Sequence, residues 1–143
     1  MTNADVARVF SRLATMLEIE GVDGGRIRAY REAARIVEAQ AEPVESLAAA
    51  EGRLESIPGI GKDLAQKIRD VATSGTTALY DELKARIPIE VVALTDLQGL
   101  GPKRVKTLFD ERLAPAGVHQ LTVDGRSDRG EALASGMYFY RIR

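Results

Sequence analysis

The 143-residue sequence contains no cysteine and only one histidine, His119. The lack of cysteine excludes disulfides, zinc–thiolate sites and thiol nucleophiles, and one histidine cannot form a histidine-based metal cluster by itself. No apolar run approaches the length of a bilayer, and the first residues lack the basic-then-apolar layout of a signal peptide. These absences predict a cytoplasmic protein without a membrane partner, and they give no sign of an organic cofactor.

The charges are also nearly balanced, with 20 Lys and Arg against 21 Asp and Glu and a net charge of −1. This balance argues against a protein that coats nucleic acid through bulk electrostatics. It leaves open local contacts made by backbone amides and a few positioned cations. With 45% hydrophobic residues, the chain can bury one modest core with a small appendage.

Apolar residues at helical spacing predict an all-helical body. Asn3 is the expected N-cap of the first helix. In the second helix, Arg28, Arg31 and Arg35 share one face, and an apolar stripe that includes Tyr30 lies on another. The predicted helices cover residues 3–20, residues 26–39, a short piece from 43, residues 62 to about 75, residues 78–86 and the segment after 101.

The character of the sequence changes after about Leu113. The stretch "GVHQLTVDGRSDRGEALASGMYFYRIR" (117–143) has Asp-Gly and Ser-Gly turn signals and a β-leaning end. We therefore expect a mainly α fold, a helical bundle followed by a short β-hairpin-like tail. Because an isolated hairpin has open edges, the tail should dock on the body or pair between chains as a homodimer.

A short turn occurs twice, as Gly59-Ile60-Gly61 and Gly99-Leu100-Gly101, and each copy opens into a basic, apolar-periodic helix. Such repetition suggests two copies of one supersecondary unit, the helix-hairpin-helix. The first amides of the second helix have no helical partner and point outward, and the glycines allow a phosphate to approach the backbone. Cations flank the two turns: Lys62, Lys103 and Arg104.

Two functions fit this pattern. The first is DNA binding at phosphates, which reads only the backbone and so has low sequence specificity. The second is an interaction or scaffold protein, in which both Gly-X-Gly turns are plain corners and the β tail contacts the partner. The repetition of the turn and the flanking cations favour DNA.

Three stretches carry a family resemblance: "RIRAYREAARIVE", "IPGIGKDLAQKI" and "LQGLGPKRVKTLF". In this order and spacing they resemble the N-terminal region of X-family DNA polymerases, especially bacterial ones, over about residues 1–112. The resemblance implies a lyase-like helical domain with the first helix-hairpin-helix at 1–75, a second at 76–113, and a separate tail at 114–143. It also implies a preference for gapped DNA and 5′-phosphate ends. Neither polymerase nor nuclease activity is expected, because the sequence lacks the corresponding domains.

The resemblance assigns roles by position. Arg26 and Tyr30 match a phosphate-binding pair, and Lys67 matches the Schiff-base lysine of a 5′-deoxyribose-phosphate lyase. Two positions depart from the family pattern, since Asp63 and Glu55 stand where the family has DNA-contacting lysines.

Lys67 has two interpretations. As a nucleophile it needs a neutral amine, which burial or nearby cations favour. As an ordinary surface lysine it would pair with Asp63 four residues before it or Asp70 three residues after it, and these carboxylates would keep it protonated.

The resemblance further implies a monovalent cation, Na⁺ or K⁺, at each hairpin, bound by backbone carbonyls. By position the ligands are Glu55, Ile57 and Ile60 in the first hairpin and Thr95, Leu97 and Leu100 in the second.

The tail resembles the closing strands of the immunoglobulin-like domain of flagellar hook-capping proteins and of C-terminal secretion-sorting domains. Val123 stands where those domains often have a tryptophan before the Asp-Gly turn. Because they need several more strands than about 30 residues provide, the tail is interpreted as a fused or truncated fragment.

Overall fold

The structure, a computed structural model, describes residues 1–112, with side chains through Leu108. The strands predicted for the tail lie outside the described residues. Within those residues every regular element is helical, which confirms the mainly α prediction. The elements are α1 (Asn3–Glu20), α2 (Gly24–Glu38), α3 (Val44–Ala49), α4 (Lys62–Ser74), α5 (Ala78–Arg86), α6 (Ile89–Ala93), a 3₁₀ turn (Leu94–Asp96) and α7 (Pro102–Arg112).

The first helix does not begin as expected. Thr2, not Asn3, is its N-cap: the Thr2 hydroxyl accepts the Asp5 amide at 3.1 Å, and the Asp5 carboxylate accepts the Thr2 amide at 3.0 Å. The Thr2 amide and, at 2.8 Å, the Thr2 hydroxyl both donate to the Asp5 carboxylate, and these two bonds, chiefly the one from the backbone, lower the pKa of Asp5. The prediction for Asn3 was wrong because Thr2 and Asn3 both suit a cap, and only tertiary contacts distinguish them.

The Asn3 side chain instead fastens α1 to the loop between α2 and α3. Its amide donates to the carbonyls of Gln40 and Glu42 at 3.0 Å, and its oxygen accepts the Val44 amide at 2.7 Å. Three backbone groups of the loop are thereby satisfied by one side chain, which fixes where α3 begins.

The core is built around α1, which packs mainly against α2 and also contacts α4, α5, α6 and α7. Phe10 of α1 is fully buried and lies against Tyr30 of α2, with ring centroids 5.9 Å apart. The predicted apolar stripes of α1 and α2 are all buried, and each large side chain so covered contributes about 1.5–3 kcal/mol. None of the helices in residues 1–112 is long and apolar enough to cross a membrane.

Helix α1 also supports the helix of the second hairpin. Lys106 of α7 lies over the C-terminal end of α1, with its Cε 3.8 Å from where a side chain on Gly21 would begin. A lysine there suits the partial negative charge at a helix C-terminus. The division of the body at residue 75 stays a prediction.

Candidate nucleic-acid interface

The two Gly-X-Gly turns have the same backbone geometry. Gly59 and Gly99 both have positive φ, 92° and 84°. In the first turn the Ile60 amide donates to the Ile57 carbonyl at 3.0 Å, and in the second the Leu100 amide donates to the Leu97 carbonyl at 3.0 Å. The sequence repeat is therefore also a structural repeat.

Each turn leads directly into a helix. The carbonyl of Gly61 accepts the Ala65 amide at 2.8 Å, and that of Gly101 accepts the Val105 amide at 3.1 Å. Gly61 is the N-cap of α4 and has no side chain to cap it. The first amides of α4 thus lack helical partners and lie at the positive end of the helix dipole, an arrangement suited to an anion.

The two glycines of the first turn serve different purposes. The positive φ of Gly59 favours glycine, and a Cβ there would lie 2.7 Å from Cδ1 of Ile36, so the end of that side chain on α2 would have to move. A Cβ on Gly61 would meet nothing within 4 Å, and its φ of −82° suits any residue. The fold alone therefore does not require glycine at position 61, and the open space above it is available to a ligand.

The cations that flank the turns differ in their surroundings. Lys62 and Lys103 are exposed at the starts of α4 and α7. Arg104 is half-buried, and its Nη1 lies 3.5 Å from the Gly99 carbonyl of its own turn. The two lysines can thus reach an anion in solvent, while Arg104 contacts its own turn.

An ion pair that sequence reasoning missed supports the first hairpin. Arg69 of α4 contacts both carboxylate oxygens of Glu55 at 2.7 Å, and this contact, aided by the charge of Lys62, lowers the pKa of Glu55. Glu55, which departs from the family's lysine, therefore has a partner inside the protein. The two residues are 14 apart in sequence, and no local spacing rule pairs them.

Of the predicted phosphate-binding pair on α2, Arg26 lies on the surface and Tyr30 lies in the core. Arg26 is exposed in the first turn of α2, whose N-cap Asp23 accepts the Gly25 and Arg26 amides at 3.0 and 3.3 Å. The Tyr30 ring is only 2% exposed. Within residues 1–112 no buried side-chain polar atom lacks a hydrogen-bond partner, and no described group bonds to the Tyr30 hydroxyl. The hydroxyl oxygen therefore keeps a small contact with solvent, although the residue as a whole is 2% exposed.

The arginine face of α2 is partly neutralised. Arg31 pairs with Glu18 of α1, and Arg35 pairs with Glu32 at 2.6 Å. The second pair raises the pKa of Arg35 and lowers that of Glu32 through their side-chain hydrogen bond. Arg26 and Arg28 are also exposed, and among the described residues neither of them forms an ion pair.

Lys67 lies on α4 one turn after Asp63. Its ammonium forms an ion pair with the Asp63 carboxylate, and its side chain is 18% exposed while that of Asp63 is 79% exposed. Asp70 bonds to Gln66 at 2.9 Å. The local pairing that sequence spacing indicated is present with Asp63, and the catalytic role of Lys67 stays a prediction.

The carbonyls assigned to a monovalent cation lie in and beside the two turns. Those of Ile57 and Leu97 each accept one amide of their own turn, which leaves each oxygen a second lone pair. An all-oxygen donor set of this kind fits a hard cation. Residues 1–112 contain no cluster of three or more His, Cys, Asp or Glu side chains that could hold a metal ion. Any cation here would depend on backbone groups.

Comparison with known proteins agrees with this architecture. The family described as "Helix-hairpin-helix domain" matches residues 1–77. The chain is also 29% identical over 119 residues to "DNA polymerase/3′-5′ exonuclease PolX" of Bacillus subtilis (strain 168), a match that covers 83% of this chain and 20% of that protein. The predicted resemblance to the N-terminal region of X-family polymerases is thereby confirmed. The resemblance drawn for the tail stays a prediction.

Proposed function

Because the chain belongs to the helix-hairpin-helix domain family, we propose that it binds DNA without sequence specificity through its two hairpins. The observation that carries this proposal is the repeated turn, with φ of 92° at Gly59 and 84° at Gly99. Each turn presents unpaired amides at the start of a helix, where a phosphate is stabilised without much net positive charge. A net charge of −1 is compatible with such binding.

The finer proposal is a preference for gapped DNA and 5′-phosphate ends. Arg26 and the Tyr30 hydroxyl supply a cation and a donor on α2, apart from the amides of the hairpins, and a terminal phosphate carries more charge than a phosphodiester. The scaffold alternative predicts no such preference, because in it both turns are corners and the tail contacts a protein.

A titration with three DNAs tests both DNA binding itself and the preference for gapped DNA and 5′-phosphate ends. The ligands are a duplex with a short gap and a 5′-phosphate, the same duplex with a 5′-hydroxyl, and the intact duplex, each measured over a salt series. Binding that weakens as salt rises supports DNA binding, and tighter binding of the 5′-phosphate substrate supports the preference. Equal affinities would remove the preference alone, whereas no salt-dependent binding would leave the scaffold function.

The chain spans 20% of the length of the polymerase that it matches. The polymerase and exonuclease activities belong to that protein by its name. We propose that this chain performs neither and acts as a DNA-binding module. Incubation with a primed template and nucleotides, and separately with labelled single strands, would reveal either activity.

A second candidate function, a 5′-deoxyribose-phosphate lyase, is favoured by the burial of Lys67, whose side chain is 18% exposed. A neutral amine would add to C1′ of the sugar and lose water to form an imine. Loss of the adjacent C2′ proton would then expel the phosphate at the next carbon. The ion pair with Asp63 opposes this step because the amine must leave that carboxylate before it can add to the sugar.

Borohydride reduction tests the lyase, since it converts the imine into a stable covalent adduct. The parent should form the adduct on a 5′-deoxyribose-phosphate substrate, Lys67→Ala should not, and Asp63→Asn should form it faster. Equal trapping by the parent and Lys67→Ala would rule out the assignment of Lys67.

The monovalent cation and the homodimer also stay proposals, each with its own measurement. Replacing Na⁺ and K⁺ by a bulky organic cation at equal ionic strength should weaken DNA binding if the hairpin carbonyls hold a cation. For the dimer, deletion of residues 116–143 should convert two chains per particle into one, and an unchanged number of chains per particle would exclude pairing through the tail.

A further inference from the structure

A groove runs between α1 and the segment that enters the second hairpin. Its α1 side carries Arg8, Ser11 and Arg12, and its other side carries Thr95 and Asp96, over the buried Val92. We propose that this groove is a further DNA-phosphate site, in which Arg12, with Arg8 one turn before it, contacts the backbone of a strand already held at the second hairpin. This inference rests on the proposed DNA-binding function and adds a contact surface on a helix outside the three motif stretches.

The charges of the groove support an anionic ligand. Arg12 is exposed, and among residues 1–112 it makes no ion pair. Arg8 pairs with Asp5 at 3.3 Å, with side chains 61% and 41% exposed, so this pair is weak and can yield to a phosphate. Five other arginines of the described part already form ion pairs: Arg31, Arg35, Arg53, Arg69 and Arg86.

The position of the groove indicates which ligand would enter it. Thr95 and Asp96 belong to the 3₁₀ turn that leads directly into Leu97 and the glycine turn at Gly99. Phosphates follow one another about every 3.4 Å along the axis of a DNA strand. A strand bound at the second turn therefore presents further phosphates within reach of a site only a few residues away. A small anion would occupy either the second hairpin or the groove, whereas a DNA strand can occupy both at once.

A substitution of Asp96 tests the proposal in the opposite direction to a substitution of Arg12. Its carboxylate is exposed in the same groove and repels a phosphate held by Arg12. Removing the charge of Asp96 should tighten binding, while removing that of Arg12 should weaken it. A helix surface that DNA does not touch would respond to neither change.

The experiment is a salt titration of gapped-duplex binding by the full chain. Arg12→Ala should make the slope of log affinity against log salt shallower by about 0.9, the value of one phosphate contact. Arg12→Lys should keep the slope, and Asp96→Asn should bind more tightly at each salt concentration. Arg86→Ala is the matched control, because it removes the same charge from an exposed arginine of α5 that pairs with Glu20 at 3.2 Å and Glu82 at 3.3 Å.

The outcomes separate the two proposals. If the parent binds with a salt dependence but Arg12→Ala matches Arg86→Ala, the groove is not a DNA site and the hairpin function stands. If the parent shows no salt-dependent binding, the DNA function and the groove are overturned together.

Discussion

Arg69 donates to both carboxylate oxygens of Glu55 at 2.7 Å, and this contact joins the segment before the first glycine turn to the helix after it. The side chains are 24% and 28% exposed, so solvent screens the pair less than most ion pairs of the surface. Forty residues later the corresponding positions hold Thr95 and Phe109, which cannot form an ion pair. The second hairpin therefore does not repeat this ion pair.

The Glu55–Arg69 pair predicts an acid sensitivity. Arg69 lowers the pKa of Glu55 in the folded protein. A carboxyl whose pKa is lowered by folding contributes its full stabilisation above its ordinary pKa of about 4.3 and loses it as pH falls through the folded value. The melting temperature of the parent should therefore fall more steeply between about pH 5 and pH 3 than that of Arg69→Met or Glu55→Gln.

A suitable control is Arg53→Met, which removes an arginine paired with Glu42 at 3.0 Å in a more exposed setting, 53% and 42%. Its melting curve against pH should run parallel to that of the parent. Parallel curves for Arg69→Met and the parent would show that the pair contributes nothing to acid stability.

The second prediction concerns Gly59. Alanine there would take a left-handed conformation that costs about 1–2 kcal/mol, and its Cβ would lie 2.7 Å from Cδ1 of Ile36. We expect Gly59→Ala to lower the free energy of unfolding by at least that strain. Thermal or urea unfolding measures the change.

The steric overlap with Ile36 and the backbone strain at Gly59 can be measured separately. Ile36→Val removes the Cδ1 atom, so the double variant Gly59→Ala/Ile36→Val should be less destabilised than the sum of the two single changes. Additive losses would show that Ile36 moves aside and that strain in the backbone accounts for the whole effect.

The third prediction concerns Gly61, where a larger side chain should weaken DNA binding much more than it lowers stability. A side chain there meets nothing within 4 Å, and the backbone is extended with φ of −82° and ψ of 173°. Gly61→Leu should therefore still fold, at a cost of about 1 kcal/mol for an apolar N-cap, while its side chain fills the space in front of the first amides of α4. We expect DNA binding to fall at least tenfold, a loss of about 1.4 kcal/mol.

Gly61→Ala is the graded control, since a methyl group obstructs less of that space. Its affinity should lie between those of the parent and Gly61→Leu. If Gly61→Leu folds and binds DNA as the parent does, the first hairpin does not hold a phosphate.

The sequence predicted the elements that depend on local pattern. The buried faces of α1 and α2 follow from 3.6-residue periodicity, the repeated turn from two Gly-X-Gly stretches, and the Lys67–Asp63 pair from a spacing of four residues. The N-cap of α1 could not be chosen by pattern, because Thr2 and Asn3 are both good caps and the choice depends on a loop some 40 residues away.

Features that join distant segments were not visible in the sequence. The Gly59–Ile36 contact, the Glu55–Arg69 pair and the groove between α1 and α6 each require the helices to be packed first. No periodicity encodes which exposed arginine of α1 faces which turn, so the groove is known only from the fold.

The fourth prediction separates the role of the buried ring of Tyr30 in stability from the role of its hydroxyl in DNA binding. Its ring is 2% exposed and lies 5.9 Å from that of Phe10, so Tyr30→Ala should lose about 3–5 kcal/mol of stability. Tyr30→Phe keeps the ring and removes only the hydroxyl that reaches solvent. If that hydroxyl donates to a DNA phosphate, Tyr30→Phe should melt like the parent and bind the 5′-phosphate substrate roughly two- to tenfold more weakly. The intact duplex should be bound with little change, since it offers no terminal phosphate.

Because Tyr30→Ala changes both folding and binding, the phenylalanine variant decides whether the hydroxyl of Tyr30 contacts DNA. Equal affinity of that variant and the parent for both DNAs would make Tyr30 a core residue alone and leave Arg26 as the phosphate contact of α2.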